Sequence, residues 1–170
     1  MGLLEPHGRH RIGDGQAGVI GTLAGIARHH RKRGPIETLD SVRVSVEKGI
    51  EGCYRGPLKP GGRNRRQVTV MEAEDWAAAL AEIGADLPWW QRRVNLLVAA
   101  IDLPQIEGAR ILIGDDVVLR VTVECDPCVR MDELQDGLQA ALRPDWRGGA
   151  CTRVVAGGDI RIGDKVRIEI

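Results

Sequence analysis

Ile111-Leu112-Ile113-Gly114-Asp115-Asp116-Val117-Val118-Leu119 is echoed by Ile160-Arg161-Ile162-Gly163-Asp164-Lys165-Val166-Arg167-Ile168, and this repeat constrains the chain more than any other feature. In both copies a Gly-Asp pair interrupts alternating β-branched residues, the pattern of a tight bend between two strands. Val117, Leu119, Val121 and Val123 share one face, as do Val166, Ile168 and Ile170. Val42, Val44 and Val46 alternate in the same way. Apolar runs at 19–27 and 94–101 read as further strands, the first with glycines marking bulges or close backbone approach. Two segments read as helices. The first follows a short strand at 67–71: Trp76, Ala79, Leu80 and Ile83 share a face, Thr69 and Glu72 have capping-box spacing, and Gly84 is a stop. The second carries Leu134, Leu138 and Ala141 or Leu142 and ends at Pro144. Roughly seven short strands with two helices point to a mainly β fold, a β-barrel with a few short helices. A βαβ sandwich would need many more helices in alternation.

At 170 residues the chain suits one domain and is short for two. The expected division is a flexible amino-terminal arm at 1–17 and a barrel domain at 18–170. Phe is absent and Trp and Tyr are few, so the core must come from Val, Ile, Leu and Ala. Basic and acidic residues balance at 24 each, which argues against a bulk nucleic-acid binder. The balance hides a polarity: residues 1–66 hold 13 basic and 6 acidic side chains, residues 67–170 hold 11 and 18. Two readings stay open: solvated surfaces that attract each other in the fold, or a basic rim for an anion such as a phosphate. No apolar run approaches the roughly 20 residues a bilayer requires. The apolar stretch at 19–27 is followed by basic residues, the reverse of a signal peptide. The expectation is a cytoplasmic protein whose four cysteines, Cys53, Cys125, Cys128 and Cys151, are thiols or ligands rather than disulfides.

Cys125-Asp126-Pro127-Cys128 is the sharpest local motif, set between a strand and the start of a helix. A helix N-terminus favours the thiolate, which is both nucleophile and soft-metal ligand. Spacing alone leaves its use open. Zinc requires four ligands, and Cys53 and Cys151 have no partner at ligand spacing. A dithiol redox pair would suit a thioredoxin-like βαβ setting, which the pattern lacks. Two half-buried thiols in a tight turn need no chemistry at all. Arg92-Arg93-Val94-Asn95 opens an apolar strand, and Arg147-Gly148-Gly149 follows a helix stop, where bare backbone N–H groups beside a guanidinium can meet an anion. Residues 49–66 form a long, glycine-rich loop with five basic side chains, a length that in compact domains marks function or disorder. His29-His30, inside a basic run, reads as a solvated tract rather than a metal site. The sequence holds no Walker loop, dinucleotide fingerprint or serine triad.

In order along the chain, Gly61-Gly62-Arg63-Asn64-Arg65-Arg66-Gln67-Val68-Thr69, Arg92-Arg93-Val94-Asn95-Leu96, Cys125-Asp126-Pro127-Cys128-Val129-Arg130-Met131, Arg147-Gly148-Gly149 and Gly158-Asp159-Ile160-Arg161-Ile162-Gly163-Asp164 resemble the MOSC family. These are domains similar to the C-terminal part of molybdenum cofactor sulfurase, and the resemblance spans residues 18–170. It implies a mainly β barrel and a functional cysteine at Cys128, with Cys125 as an auxiliary thiol. In the family that cysteine is either a thiolate ligand to the molybdenum of a pterin cofactor (molybdopterin) or a sulfur carrier holding a persulfide. Relatives of the first kind reduce N-hydroxylated compounds. By the same resemblance, Arg93 and Asn95 line the cofactor channel, Arg65 and Arg66 face its phosphate, and Arg147, Gly148 and Gly149 add anion contacts. Two departures stand out: Gly52-Cys53-Tyr54 where many relatives read Gly-Asp, and Asp145-Trp146-Arg147 where relatives often carry His. The implied partner is an electron-donor reductase under the oxidoreductase reading and a cysteine desulfurase under the sulfur-transfer reading. No pyridoxal phosphate is expected, since 170 residues leave no room for an aminotransferase-like domain. A third reading has the barrel bind a partner and catalyse nothing.

Overall fold

The structure, a computed structural model, describes residues 18–170. The arm expected at 1–17 lies outside the described residues. The alternating segments become strands β1 (Gly21–Arg28), β2 (Glu37–Leu39), β3 (Ser41–Ser45), β4 (Gly49–Ile50), β5 (Val68–Glu72), β6 (Leu96–Ala99), β7 (Arg110–Ile113), β8 (Val117–Glu124), β9 (Ala150–Ala156), β10 (Gly158–Arg161) and β11 (Lys165–Glu169). Hydrogen bonding runs β11-β7-β8-β9-β5-β6-β1, and β1 returns to β11, so the strands close a seven-stranded barrel. Closure leaves no barrel edge unpaired. β2 extends the sheet beyond β1, and β10, β3 and β4 form a small second sheet.

Inward-facing positions fill the barrel with aliphatic side chains: Leu23, Val70, Leu96, Ile111, Leu119 and Val166 expose no surface. Outward positions Met71 and Leu97 pack instead against a helical layer built from α1 (Ala73–Ile83), α2 (Arg130–Leu134) and α3 (Leu138–Ala141). Trp76 and Leu80 of α1 and Leu138 of α3 close that second cluster. Gly25 lies at a register shift between β1 and β6, and a Cβ there would lie 2.4 Å from the Trp89 ring. The glycine is thus a bulge that admits a large side chain.

Two local expectations change, the cap of α1 and the single second helix, and strand pairing adds two features that apolar alternation does not report. β5 and β6 pair in parallel, Val70 opposite Leu96, so one βαβ unit through α1 sits in an otherwise antiparallel barrel. Apolar alternation reports burial, not strand direction. α1 begins at Glu72 with no side-chain cap, because Thr69 stays in β5 and bonds Asn95 instead. Gly84 ends α1 in the left-handed conformation, φ 62°. The second helix is two short ones, broken at Gly137, φ 88°. The two Gly-Asp bends also differ. The first joins β7 to β8 as an antiparallel hairpin, whereas the second sends β10 to β3 and β11 to β7. The bends interlock: Gly114 N–H donates to Lys165 O at 2.9 Å, and Leu23 N–H to Asp164 O at 2.8 Å. Among the described residues no helix is long and apolar enough to cross a membrane.

Candidate functional site

Past the end of β8, Cys125 N–H donates to Gly149 O at 2.9 Å and draws the chain against the Gly-Gly segment. That approach requires glycine. A Cβ on Gly148 would lie 2.6 Å from Cys125 O, and one on Gly149, at φ 107°, 2.4 Å from Val70 O. The donors of this segment turn inward. Gly148 N–H bonds Leu142 O and Gly149 N–H bonds Trp146 O, while Arg147 binds Glu82 at 2.8 Å and Ala141 O at 3.1 Å. The segment that the sequence offers as an anion cradle here packs strand ends together and anchors to α1 and α3.

Beneath it sits a thiol pair that motif spacing does not reveal. Cys125 and Cys151 are both buried, at 1% and 3% exposure, and the Cys151 thiol donates to Glu124 O at 3.8 Å. Buried Arg92 donates through Nη2 to Cys125 O at 2.8 Å and Sγ at 3.5 Å, and through Nε to Gly148 O at 3.2 Å. The Cys151 hydrogen bond, followed by the Arg92, Arg66 and Arg55 guanidiniums, holds the Cys125 thiol down at about 5 despite its burial. The same hydrogen bond and burial push Cys151 upward. The Cys125 thiol is therefore held well below the ordinary thiol range and that of Cys151 above it.

Cys128 parts from this pair and is exposed. Its carbonyl accepts Met131 N–H at 3.0 Å, which places it at the turn leading into α2. α2 has only five residues and brings little macrodipole to the thiol. Among the described residues no group of three or more His, Cys, Asp or Glu side chains is placed to hold a metal ion.

Asn95 enters β6 almost fully buried, with its amide engaged at both ends. Nδ2 donates to Ala27 O at 3.1 Å and Cys53 Sγ at 3.4 Å, and Oδ1 accepts the Thr69 N–H at 3.1 Å and hydroxyl at 3.2 Å. It staples β1, β5 and β6 and fixes Cys53. Arg93, beside it, is left-handed at φ 69° and donates to Gly34 O at 2.9 Å.

Guanidiniums gather over these residues. Arg55, Arg63, Arg65 and Arg66 line a pocket of about 210 Å³ under the long loop. The Arg65 carbonyl accepts the Thr122 hydroxyl, which ties the loop to β8, and Asn64 pins it internally through Lys59 N–H at 2.8 Å. Arg66 Nε is buried without a hydrogen-bond partner. Arg55 and Arg93 are pushed below the usual guanidinium range, mainly by burial and next by Arg66 and Arg130 respectively. None of Arg55, Arg66, Arg93 and Arg130 pairs with a carboxylate among the described residues. A separate pocket of about 700 Å³ lies at the two Gly-Asp bends and holds none of these side chains.

His29 corrects the reading of a solvated tract. His30 is exposed and bonds Glu37 at 3.0 Å, but His29 is buried, its ring 6.3 Å from that of Tyr54. Burial first, then Arg93 and Arg55, lower His29 to about 4, so it is neutral at physiological pH. Nothing in its basic run signals this; the Tyr54 N–H bond to His29 O, 2.7 Å, brings the loop over it.

A family model described as the MOSC domain matches residues 57–167. The crystal structure of the YuaD protein from Bacillus subtilis superposes with a TM-score of 0.69 at 20% identity, over 88% of this chain and 95% of that one. YiiM from Escherichia coli gives 0.62 at 11% identity, over 88% of this chain and 70% of that one. YiiM from Geobacillus stearothermophilus gives 0.61 at 14% identity, over 88% and 74%. At these identities the likeness establishes the barrel and its topology. A search of curated proteins finds no match. With a seven-stranded barrel, a cysteine motif leaving β8 and a family match over most of its length, this chain belongs to the MOSC domain family.

Proposed function

We propose that the chain binds a phosphorylated molybdenum–pterin cofactor with Cys128 as the thiolate ligand, and that it reduces N-hydroxylated substrates with electrons from a separate reductase. The observation that carries this reading is the buried, unpartnered Nε of Arg66 within a group of guanidiniums that lack carboxylate partners among the described residues. A buried donor without an acceptor is costly, about 1–3 kcal/mol, and a phosphate oxygen supplies the missing acceptor. Arg55, Arg65 and Arg66 would hold the phosphate, with Arg93 at the channel. Asn95 would act through Cys53 and the strands it joins rather than by contact. Cys128 is the exposed thiol, two residues before Arg130, which lines a cleft with Arg55 and Arg93. One thiolate with no cluster of side-chain ligands among the described residues suits a metal whose remaining ligands come from the pterin. When bound, the metal would supply two-electron oxygen-atom chemistry at the N–OH group.

The test is elemental analysis of protein from a host competent in molybdenum-cofactor synthesis, wild type beside Cys128→Ala. Molybdenum near one per chain, lost in the variant, is the expected result; none in the wild type overturns the reading. The exposure of Cys128 favours one alternative, in which the thiol carries sulfane sulfur received from a cysteine desulfurase. That alternative predicts one added sulfur atom on Cys128 in the intact mass, removed by a reducing agent.

A further inference from the structure

Beyond the loop pocket, the cationic surface continues into a second region of different character. Arg55 is shared by the loop pocket and a narrow cleft of about 150 Å³ that also holds Arg33, Arg93 and Arg130. The last three pass on into a wider pocket of about 410 Å³, whose other wall is Ile36, Met131 and Leu134. The narrow cleft has room for one oxyanion group; the wider pocket falls in the size range of small-molecule sites, roughly 300–1,000 Å³.

We infer that this outer pocket is the substrate subsite, and that the substrate is a small amphipathic anion, an apolar body bearing a carboxylate or phosphate. The inference rests on Cys128 as the reactive centre. A single cofactor phosphate is served by Arg55, Arg65 and Arg66, which leaves Arg33, Arg93 and Arg130 clustered without a carboxylate partner among the described residues. Glu133 also lines the pocket, and it too makes no ion pair among them. Three guanidiniums held together repel one another, and an anion relieves that repulsion. Arg93 is fixed in a backbone conformation rare for a non-glycine residue, the kind of strain that accompanies a placed functional group. Opposite the charges, Leu134 is exposed and Met131 is buried beneath it, an apolar wall that a purely ionic ligand would not use. Cys128 opens the turn that carries both Arg130 and Met131, through the Met131 N–H bond to its carbonyl, so the pocket is built on the residues that directly follow the thiol.

The experiment is isothermal titration calorimetry on the full chain with phenyl phosphate, inorganic phosphate and benzyl alcohol, with and without molybdenum loading. Phenyl phosphate should bind at least about tenfold more tightly than either of the others, since it alone engages both walls. Arg130→Gln should weaken phenyl phosphate about tenfold. Leu134→Asn, at an exposed position that folding tolerates, should reduce phenyl phosphate to the level of inorganic phosphate. Equal affinity for phenyl phosphate and inorganic phosphate overturns the inference. So does discrimination that survives Arg130→Gln and vanishes in Arg66→Gln, because it puts the ring in the loop pocket. Protein that takes up no molybdenum in a competent host yet still discriminates supports the subsite and sinks only the cofactor reading. Protein with molybdenum that does not discriminate sinks only the subsite.

Discussion

Arg92 reaches past the end of β8 and donates from one nitrogen to both the carbonyl oxygen and the thiol sulfur of Cys125, at 2.8 and 3.5 Å. After Cys151, the Arg92 contact is what holds the thiol of this cysteine, 1% exposed, below its ordinary range. A buried thiolate must be paired and hydrogen-bonded, and Arg92 with Cys151 does both. The two cysteines of the motif therefore divide the work. Cys125 joins the strand ends through its bonds with Arg92 and Gly149, and Cys128 is left exposed at the surface.

Removing Cys151 tests that network. Its thiol is the largest influence holding Cys125 at about 5, so Cys151→Ala should raise Cys125 toward the ordinary thiol value of 9.0. Thiolate absorbance against pH, in a background of Cys53→Ser and Cys128→Ser, reads this directly. In the wild type, between pH 5 and 9 the folded pair holds one proton and the unfolded pair two, so stability rises with pH. Above 9 the unfolded pair holds none and the folded pair one, because Cys151 is pushed up, and stability falls. Denaturation across this range should show a slope about one proton steeper in the wild type than in Cys125→Ala/Cys151→Ala.

Asn95 separates a structural role from ligand contact. Asn95→Ala strips the Thr69 N–H of its acceptor and Cys53 of its donor within a packed barrel. One orphaned buried donor and a small cavity together cost about 2–4 kcal/mol, measurable by urea denaturation. Inorganic phosphate affinity of the folded variant should stay within about twofold of wild type, because the amide is engaged by the strands.

Strand positions are legible in this sequence because alternation at Val117, Leu119 and Val121 directly reports one buried face. Partners are not legible. Nothing in Ile160–Ile168 distinguishes a hairpin from a bend that sends its two strands to different sheets, since that depends on which backbone finds which. The thiol site divides the same way. Cys125 and Cys128 stand out by spacing, but Cys151 joins Cys125 only through the β8–β9 ladder, whose register shift sets Val123 opposite Cys151. The basic mouth is foreshadowed by the charge excess before residue 67, yet Arg92 from the later half is drawn under it by Gly148 and Cys125.

Gly149 should be the least replaceable residue of its segment. Gly149→Ala puts a methyl 2.4 Å from Val70 O at φ 107°, combining a backbone clash with a conformation closed to L side chains. The expected loss is about 2–4 kcal/mol by denaturant titration. Arg147→Gln breaks only a half-exposed pair with Glu82 and one carbonyl bond, and should cost about 1 kcal/mol or less.

His29 sets an acid limit. Its folded value of about 4 lies below the unfolded 6.5, so as pH falls through that window the unfolded state takes up a proton that the folded state refuses. Stability contributed by neutral His29 is present above pH 6.5 and is lost as pH drops toward 4. His29→Gln should flatten the thermal-melt profile between those values. Arg93→Gln removes the largest charge effect on the ring and should raise the His29 titration midpoint in an NMR experiment.

Arg66→Met should move stability and binding in opposite directions. In the free protein Arg66 holds a buried Nε without an acceptor and adds to the positive field on Arg55. Methionine keeps much of the apolar stem while removing both penalties, so the variant should be more stable by about 1 kcal/mol in phosphate-free buffer. Its affinity for inorganic phosphate should fall about tenfold, as expected for loss of one charge-assisted hydrogen bond. Denaturant titration and calorimetry on one preparation decide the matter. A variant that loses both stability and affinity would mean that Arg66 holds the loop in place rather than waiting for an anion.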